Sequence, residues 1–159
     1  MPRGQTPILR GRPTRDHLSV ISGITQDGEL YLQAQEEAYD AFGVVLFLKH
    51  LLAQSPGRIL VLWDRSRIHR AKVVKTFLAS PEGERLRVDY LPAHAPESNP
   101  DELVWRHLKY VELRNVRCGT LRELRVRLRR AVQRLRRKPS LLAGFVDHIE
   151  YMAFLCNGQ

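Results

Sequence analysis

The chain has 159 residues, of which 43% are hydrophobic and 27% are charged, and this balance predicts a folded domain rather than a disordered segment. No apolar run is long enough to cross a membrane, and no apolar core follows the N-terminal arginines as it would in a secretory signal. The two cysteines, Cys118 and Cys156, lack the paired spacing of a zinc ribbon and do not suggest a disulfide framework. We therefore predict a cytoplasmic protein with no membrane partner.

The net charge of +9 is concentrated in one part of the chain. Residues 114–138 contain eleven Arg or Lys and a single acid, Glu123, so this segment carries +10 and the remainder sums to −1. Such a segment predicts contact with a polyanion. We divide the chain into a basic, Pro- and Gly-rich extended segment (1–15), a core (16–113) and a basic helical extension of the same domain (114–159).

The first predicted elements form a hairpin followed by a helix. Strands are predicted over 17–25 and 29–33, with a two-residue turn at Asp27-Gly28. Apolar residues at helical spacing then predict a helix over 38–54.

Strands and helices alternate in the middle of the chain. The continuous apolar run 58–63 predicts a strand buried on both faces, because a strand with one solvated face would alternate apolar and polar residues. A helix over 69–79 and a short strand over 86–91 follow. The rest is predicted to be helical, over 99–114, 120–137 and 140–155, with Pro139 between the last two. The order ββαβαβααα predicts an α/β fold with a mixed sheet flanked by helices and a helical C-terminal tail.

Asp64 directly follows the apolar strand 58–63. In open α/β sheets, functional groups gather beyond the carboxyl ends of the strands, where the loops share a crevice. Asp64 is therefore a candidate metal ligand. The alternative is that it begins a turn or caps the following helix.

Glu102 lies in the predicted first turn of a helix. Asn99 suits the N-cap, Pro100 suits the first helical position, and a carboxylate at Glu102 suits a capping box or the helix dipole. On local rules, Glu102 is a capping residue; a metal-binding role is the alternative.

Two segments, in this order, resemble the signature of a known family. The first is the apolar strand followed by Asp64-Arg65 and then Ile68-His69, and the second is Leu91 to Trp105, similar to Leu-Pro-x-Tyr-x-Pro-x-Leu-Asn-Pro-x-Glu-x-x-Trp. Leu108-Lys109 matches the Leu-Lys that often follows. Together they resemble mariner-type DDE transposases of the bacterial insertion-sequence branch, over about residues 2–112.

The resemblance implies an RNase H-like fold with Asp64 as the second acid of the catalytic triad and Glu102 as the third, with 37 residues between them. It implies a two-metal site holding Mg²⁺ or Mn²⁺, since paired divalent cations activate the attacking oxygen and stabilise the leaving one, and such hard cations take carboxylate oxygens. The implied activity is cleavage and transfer of DNA strands. The partners would be transposon ends and target DNA, in a bacterial, nucleoid-associated location.

In the family, the first acid lies on a strand upstream of a segment similar to residues 2–7, so the first catalytic strand and its Asp are expected to be missing here. Asp16 precedes its predicted strand and Asp27 is explained by the turn, so neither replaces it. Three hypotheses follow: an incomplete catalytic domain, a non-catalytic DNA-binding remnant, or one half of a split transposase completed by a separate N-terminal half. Unpaired sheet surface at the missing edge also predicts either a homodimer or a non-native pairing of the N-terminal segment with that edge.

The helix over 120–137 has an apolar face and a face crowded with arginine. The predicted DNA-contacting residues are Arg122, Arg125, Arg129, Arg130, Arg136 and Arg137. Such contacts position DNA without reading its sequence. The alternative is an ordinary solvated charged face, although such a face normally mixes signs.

Three residues near the predicted crevice are candidate accessory groups: His69, Asn99 and Trp105. His94 and His107 are weaker candidates of the same kind. The alternatives are ordinary hydrogen-bonding histidines and a tryptophan that packs in the core.

Overall fold

The computed structural model describes residues 17–92 and 98–148. The predicted N-terminal segment 1–15, His94 and the end of the last predicted helix lie outside these residues. No helix of the described part of the chain is long and apolar enough to span a membrane.

The first two strands pair antiparallel. Strand β1 (Ser19–Ile24) lies against β2 (Leu30–Gln35), with Ser19 opposite Gln35 and Ile24 opposite Leu30. The alternating faces of β1 point to two different helical layers, because successive side chains of a strand project to opposite sides. Ile21 packs on one side, whereas Val20 and Ile24 pack on the other.

The turn of this hairpin differs from the prediction. The Gly28 N–H donates to the Thr25 carbonyl (3.1 Å) and the Thr25 N–H donates to the Glu29 carbonyl (3.0 Å), so three residues form the loop. Gly28 has a φ of 85°, whereas Asp27 does not have a positive φ. A two-residue type I′ turn needs positive φ at both central positions, so the predicted turn is wrong. A Cβ on Gly28 would also collide with the Pro139 backbone, which excludes a side chain there.

The next two strands pair in parallel and carry helices on one face. Helix α1 (Ala41–Gln54) precedes β3 (Ile59–Trp63), and α2 (Lys72–Leu78) with a short 3₁₀ turn (Pro81–Gly83) leads to β4 (Leu86–Tyr90). Asp40 begins α1 as its N-cap by accepting a hydrogen bond from the Gly43 N–H (2.8 Å).

One face of strand β3 is only partly covered, contrary to the prediction of burial on both faces. Val61 and Trp63 point into a core formed with α1 and α2, whereas Leu60 is 52% exposed. Among the described residues, the four strands form two separate two-stranded ladders rather than one sheet. Apolar patterning indicates which faces are apolar, but it does not specify what covers them or which strands are neighbours.

The C-terminal part is helical, as predicted. Helix α3 (Pro100–His107) continues directly into a π-helical turn (Leu108–Glu112), and α4 (Leu121–Arg136) and α5 (Pro139–Asp147) follow. Pro139 does not merely separate the last two helices, because it is the first residue of α5. A proline is favoured there since the N–H that it lacks would have no partner within the helix.

Two apolar cores hold these elements. The first lies between α1, α2 and the β3–β4 ladder, and Ile21 of β1 also packs against it. The second joins the other face of the β1–β2 hairpin to α3, α4 and α5. The hairpin is therefore packed between two helical layers, and each layer positions one of the predicted acids.

The first core should depend strongly on Leu48, which is 1% exposed in α1. Leu48→Ala should lower the free energy of unfolding by about 2–5 kcal/mol, because it removes buried methyl groups and leaves a cavity. The matched control is Leu46→Ala in the same helix, since Leu46 is 64% exposed and should change stability little. Urea unfolding of both variants checks this, and equal effects would contradict the assignment of the core.

Candidate active site and basic helix

Asp64 lies immediately beyond the end of β3, on the loop that leads to α2. Its Oδ1 accepts a hydrogen bond from the Ser66 N–H (2.8 Å), so Asp64 does begin a turn, as one of the two alternatives predicted. Its side chain is nevertheless 59% exposed. Since the turn uses only Oδ1, Oδ2 is left for another ligand.

His69 holds the Asp64 carboxylate from the other side of this turn. Its Nδ1 lies 2.9 Å from Asp64 Oδ1 and 3.3 Å from the Asp64 carbonyl oxygen. Both oxygens are acceptors, so Nδ1 carries the proton. The imidazole also stacks on the Trp63 ring, with centroids 4.5 Å apart and planes 5° from parallel. These contacts fix His69, which in turn orients Asp64.

Glu102 lies in the first turn of α3 and is exposed. Asn99 is the N-cap, as predicted, and accepts a hydrogen bond from the Asp101 N–H (3.1 Å). The capping-box role predicted for Glu102 is not found, because the Glu102 N–H bonds to the Asn99 carbonyl and the Glu102 carboxylate has no hydrogen bond or ion pair among the described residues. Its oxygens are therefore available to a ligand.

The neighbouring acid, Asp101, anchors the start of α3 to β1. Its Oδ2 accepts hydrogen bonds from the Ser22 hydroxyl (2.7 Å) and from the Trp105 indole N–H (3.2 Å). Burial raises the pKa of Asp101, and these two hydrogen bonds only partly offset that effect. Trp105 thus helps to fix the start of α3 and packs against the second core.

The two motifs meet at the end of the β3–β4 ladder. The Leu91 N–H donates to the Trp63 carbonyl (2.9 Å), so the second motif begins beside the residue that precedes Asp64. In the described part of the chain, no group of three or more His, Cys, Asp or Glu could hold a metal ion. Asp64 and Glu102 are both exposed, and neither belongs to such a group among the described residues.

Helix α4 is amphipathic, as predicted. Its apolar side packs into the second core, with Ala131 and Leu135 both fully buried. Thr120 is the N-cap and accepts a hydrogen bond from the Glu123 N–H (3.1 Å). Opposite the buried side lies a face on which Val126 is 44% exposed among arginines.

The six predicted DNA-contacting arginines fall into two groups, those with a protein partner and those without a carboxylate partner among the described residues. Arg125 pairs with Glu36 (3.6 Å), and the Arg136 Nε donates to the Leu30 carbonyl (2.9 Å), which ties α4 to β2. The other four are exposed and have no carboxylate partner among the described residues: Arg122, Arg129, Arg130 and Arg137. Helical spacing places these four on the outer side of α4. We call them the outer arginines.

Glu112 is a structural acid that the sequence analysis did not identify. Its side chain is only 7% exposed and contacts Arg134 (2.6 Å), Lys138 (3.4 Å) and His107 (3.6 Å). Burial alone would raise the pKa of Glu112, but the hydrogen bonds and charges of Arg134 and Lys138 outweigh it, so the pKa lies below its ordinary value. The only sequence signal was an acid before a basic segment, which does not specify its partners.

A family model described as "DDE superfamily endonuclease" matches residues 1–125. Two solved structures resemble the fold: the Mos1 transposase paired-end complex with the left transposon end, and the Mos1 mariner paired-end complex with Mn. The first is 16% identical with a TM-score of 0.59, covering 91% of this chain and 48% of that one. The second is 18% identical with a TM-score of 0.58, covering 95% and 50%.

This chain therefore spans about half the length of those solved chains. No curated protein matches it. The similarity in structure, at these low identities, confirms the predicted RNase H-like α/β fold.

The ion pairs of Glu112 should stabilise the fold in a pH-dependent way. Glu112→Gln should cost about 1 kcal/mol of unfolding free energy at neutral pH, because it weakens charge-assisted bonds to two half-exposed cations. Since the pKa of Glu112 is lowered in the folded state, its contribution is present above the ordinary glutamate pKa and is lost as the pH falls through the folded-state value.

Denaturant unfolding of wild type and Glu112→Gln at several pH values measures this difference. The two proteins should converge in stability in acid. Glu82→Gln is the control, because Glu82 pairs with Lys49 on the surface and should contribute little at any pH. A difference for Glu112→Gln that persists unchanged in acid would contradict the ion-pair explanation.

Proposed function

This chain belongs to the DDE superfamily endonucleases, and we propose that it is the catalytic domain of a transposase that cleaves and transfers DNA strands. The observation that carries the proposal is the exposure of the Asp64 and Glu102 carboxylates. Both acids of the two ordered motifs are exposed, and each leaves carboxylate oxygens without a partner among the described residues. The solved complexes that share its fold are transposases bound at paired transposon ends.

The residues present fit a divalent metal. Asp64 Oδ2 and the Glu102 carboxylate are hard oxygen ligands, which Mg²⁺ and Mn²⁺ prefer. Asp64 and Glu102 would hold the metal together with a further ligand from outside the described residues. When bound, such ions activate an attacking oxygen and stabilise the leaving oxygen of a phosphodiester.

The chain's own residues prepare this site before a substrate arrives. His69 and the Ser66 N–H both contact Asp64 Oδ1. These contacts restrict rotation of the carboxylate and so fix the direction in which Oδ2 points. Asn99 and Asp101 fix the first turn of α3, which carries Glu102. Such orienting contacts are how neighbouring groups tune metal ligands.

The outer arginines of α4 provide the electrostatic contact with DNA in this proposal. They are exposed and have no acidic partner among the described residues, so their charge remains available to phosphates. Phosphate contacts of this kind set the register of DNA on the protein without reading its sequence. The bacterial insertion-sequence branch and a nucleoid-associated location in the cytoplasm belong to the same proposal.

We further propose that the isolated chain is catalytically incomplete. Support comes from the described part of the chain, in which no group of three or more His, Cys, Asp or Glu could hold a metal ion. Completion by a separate N-terminal half would make it part of a split enzyme, with a homodimer as another assembly. If nothing completes it, the chain is a non-catalytic DNA-binding remnant.

The two acids should be required for metal-dependent cleavage. Asp64→Asn and Glu102→Gln should each lower nicking of supercoiled plasmid in Mn²⁺ by about a hundredfold or more, because each removes a ligand charge that supports the metal. Asp89→Asn is the matched control, since Asp89 is an exposed acid on the neighbouring strand β4.

The assay is run with this chain alone and with the polypeptide encoded directly upstream of Met1. Nicking only by the mixture supports the split enzyme, and nicking by the chain alone contradicts incompleteness. If DNA binds without metal and neither the chain alone nor the mixture nicks the plasmid, the result supports a non-catalytic DNA-binding remnant. Unchanged nicking by both Asp64→Asn and Glu102→Gln would refute the assignment of these acids.

The outer arginines should account for salt-dependent DNA binding. The double variant Arg129→Gln/Arg137→Gln should bind duplex DNA more weakly and reduce the slope of log affinity against log salt by about one unit per arginine. Arg127→Gln is the control, because Arg127 already faces Glu123 at 3.9 Å. Fluorescence anisotropy titrations at several salt concentrations measure both quantities, and identical slopes for all proteins would exclude this face as the DNA contact.

A further inference from the structure

The exposed side of α3 continues from Glu102 into a row of unpaired cations. Arg106 and Lys109 follow Glu102 by four and seven residues, spacings that place side chains on one face of a helix. Both are exposed, and neither has an acidic partner among the described residues. The row extends on the order of 10 Å along the helix axis from Glu102.

The π turn then changes which residues face the core. Val104 and Leu108 are fully buried, and a continuing α-helix would turn Val111 inward next. Instead, the Leu113 N–H donates to the Leu108 carbonyl (2.8 Å), a bond to the fifth residue back that accommodates one extra residue in the turn. Glu112 therefore takes the inward position and reaches Arg134.

The consequence is an exposed apolar pair beside the cations. Tyr110 is 69% exposed and Val111 is 59% exposed, and Tyr110 directly follows Lys109. No hydrogen bond or ion pair engages the Tyr110 hydroxyl in the described part of the chain. The π turn thus exposes Val111 beside Tyr110, which lies on the outer side of the helix.

We propose that Arg106, Lys109 and Tyr110 hold the DNA strand next to the reacting phosphate, with Tyr110 stacked on an unpaired base. This inference rests on the proposed function, since Glu102 marks where the reacting phosphate lies. Cations without acidic partners suit phosphates, and an exposed aromatic ring suits the face of a base. The combination is complementary to a nucleic-acid strand, whereas an apolar protein partner would leave two cations unpaired.

The base must be unpaired for a physical reason. In a duplex, both faces of each internal base are covered by its neighbours, so Tyr110 gains contact only with a base that has left the stack. The protein should therefore prefer a DNA end with unpaired nucleotides over a blunt duplex of the same sequence. Tyr110, and not the cations, should account for that preference.

The test is fluorescence anisotropy of the 159-residue chain with a blunt duplex and with the same duplex carrying unpaired nucleotides at one end. Wild type should favour the unpaired end by about fivefold or more, the usual contribution of one stacked base. Tyr110→Ala should lose this preference, whereas Tyr110→Phe should keep it because stacking needs the ring and not the hydroxyl. Phe42→Ala is the matched control, since Phe42 is 66% exposed on α1 and should leave the preference unchanged.

A 2-aminopurine placed at the unpaired position gives an independent readout. Its fluorescence should be quenched on binding to wild type and to Tyr110→Phe but not to Tyr110→Ala. Arg106→Gln/Lys109→Gln should instead weaken binding to both DNAs equally and reduce the salt dependence.

The outcomes separate this inference from the proposed function. If Tyr110→Ala keeps the full preference and the full quenching, the inference is overturned even though the outer arginines still control affinity. If neither the outer arginines nor Arg106 and Lys109 affect binding, the DNA-binding part of the proposed function fails as well.

Discussion

The burial of Val104 and Leu108 is the constraint on which the candidate site depends. Both side chains are fully buried in the second core, and together they fix the rotation of α3 about its axis. Once that rotation is set, Asp101 faces β1, where it meets Ser22, and Glu102 is left in solvent. The exposure of the Glu102 carboxylate is therefore a consequence of apolar packing two and six residues further along the helix.

The π turn extends the same constraint to α4. By turning Glu112 inward, it gives Arg134 and Lys138 a carboxylate to bind and ties the end of α3 to α4. The arginines of the basic segment consequently serve two different purposes. Some hold helices and strands together, as Arg136 does through the Leu30 carbonyl, while the outer arginines are exposed and have no carboxylate partner among the described residues. Charge content alone would not separate the two groups.

Much of the fold was predictable from local patterns, and the failures have physical causes. Every predicted strand, and every helix within the described residues, is present, because apolar periodicity reflects burial directly. The hairpin turn was assigned wrongly because Asp-Gly suits both a two-residue turn and a three-residue loop with glycine last. The outer face of β3 was assigned wrongly because the apolar character of a residue such as Leu60 does not show whether another element packs against it.

The sequence by itself determined the order of elements, the helix start at Asn99, the positions of Asp64 and Glu102 and the basic character of α4, since each follows from residues near one another in the chain. Only the tertiary structure decided that the Glu102 carboxylate does not cap its own helix, that His69 orients Asp64, and that Glu112 pairs with two half-exposed cations. Those outcomes depend on how helices are rotated and which side chains they meet, and such contacts join residues too far apart for local spacing to specify.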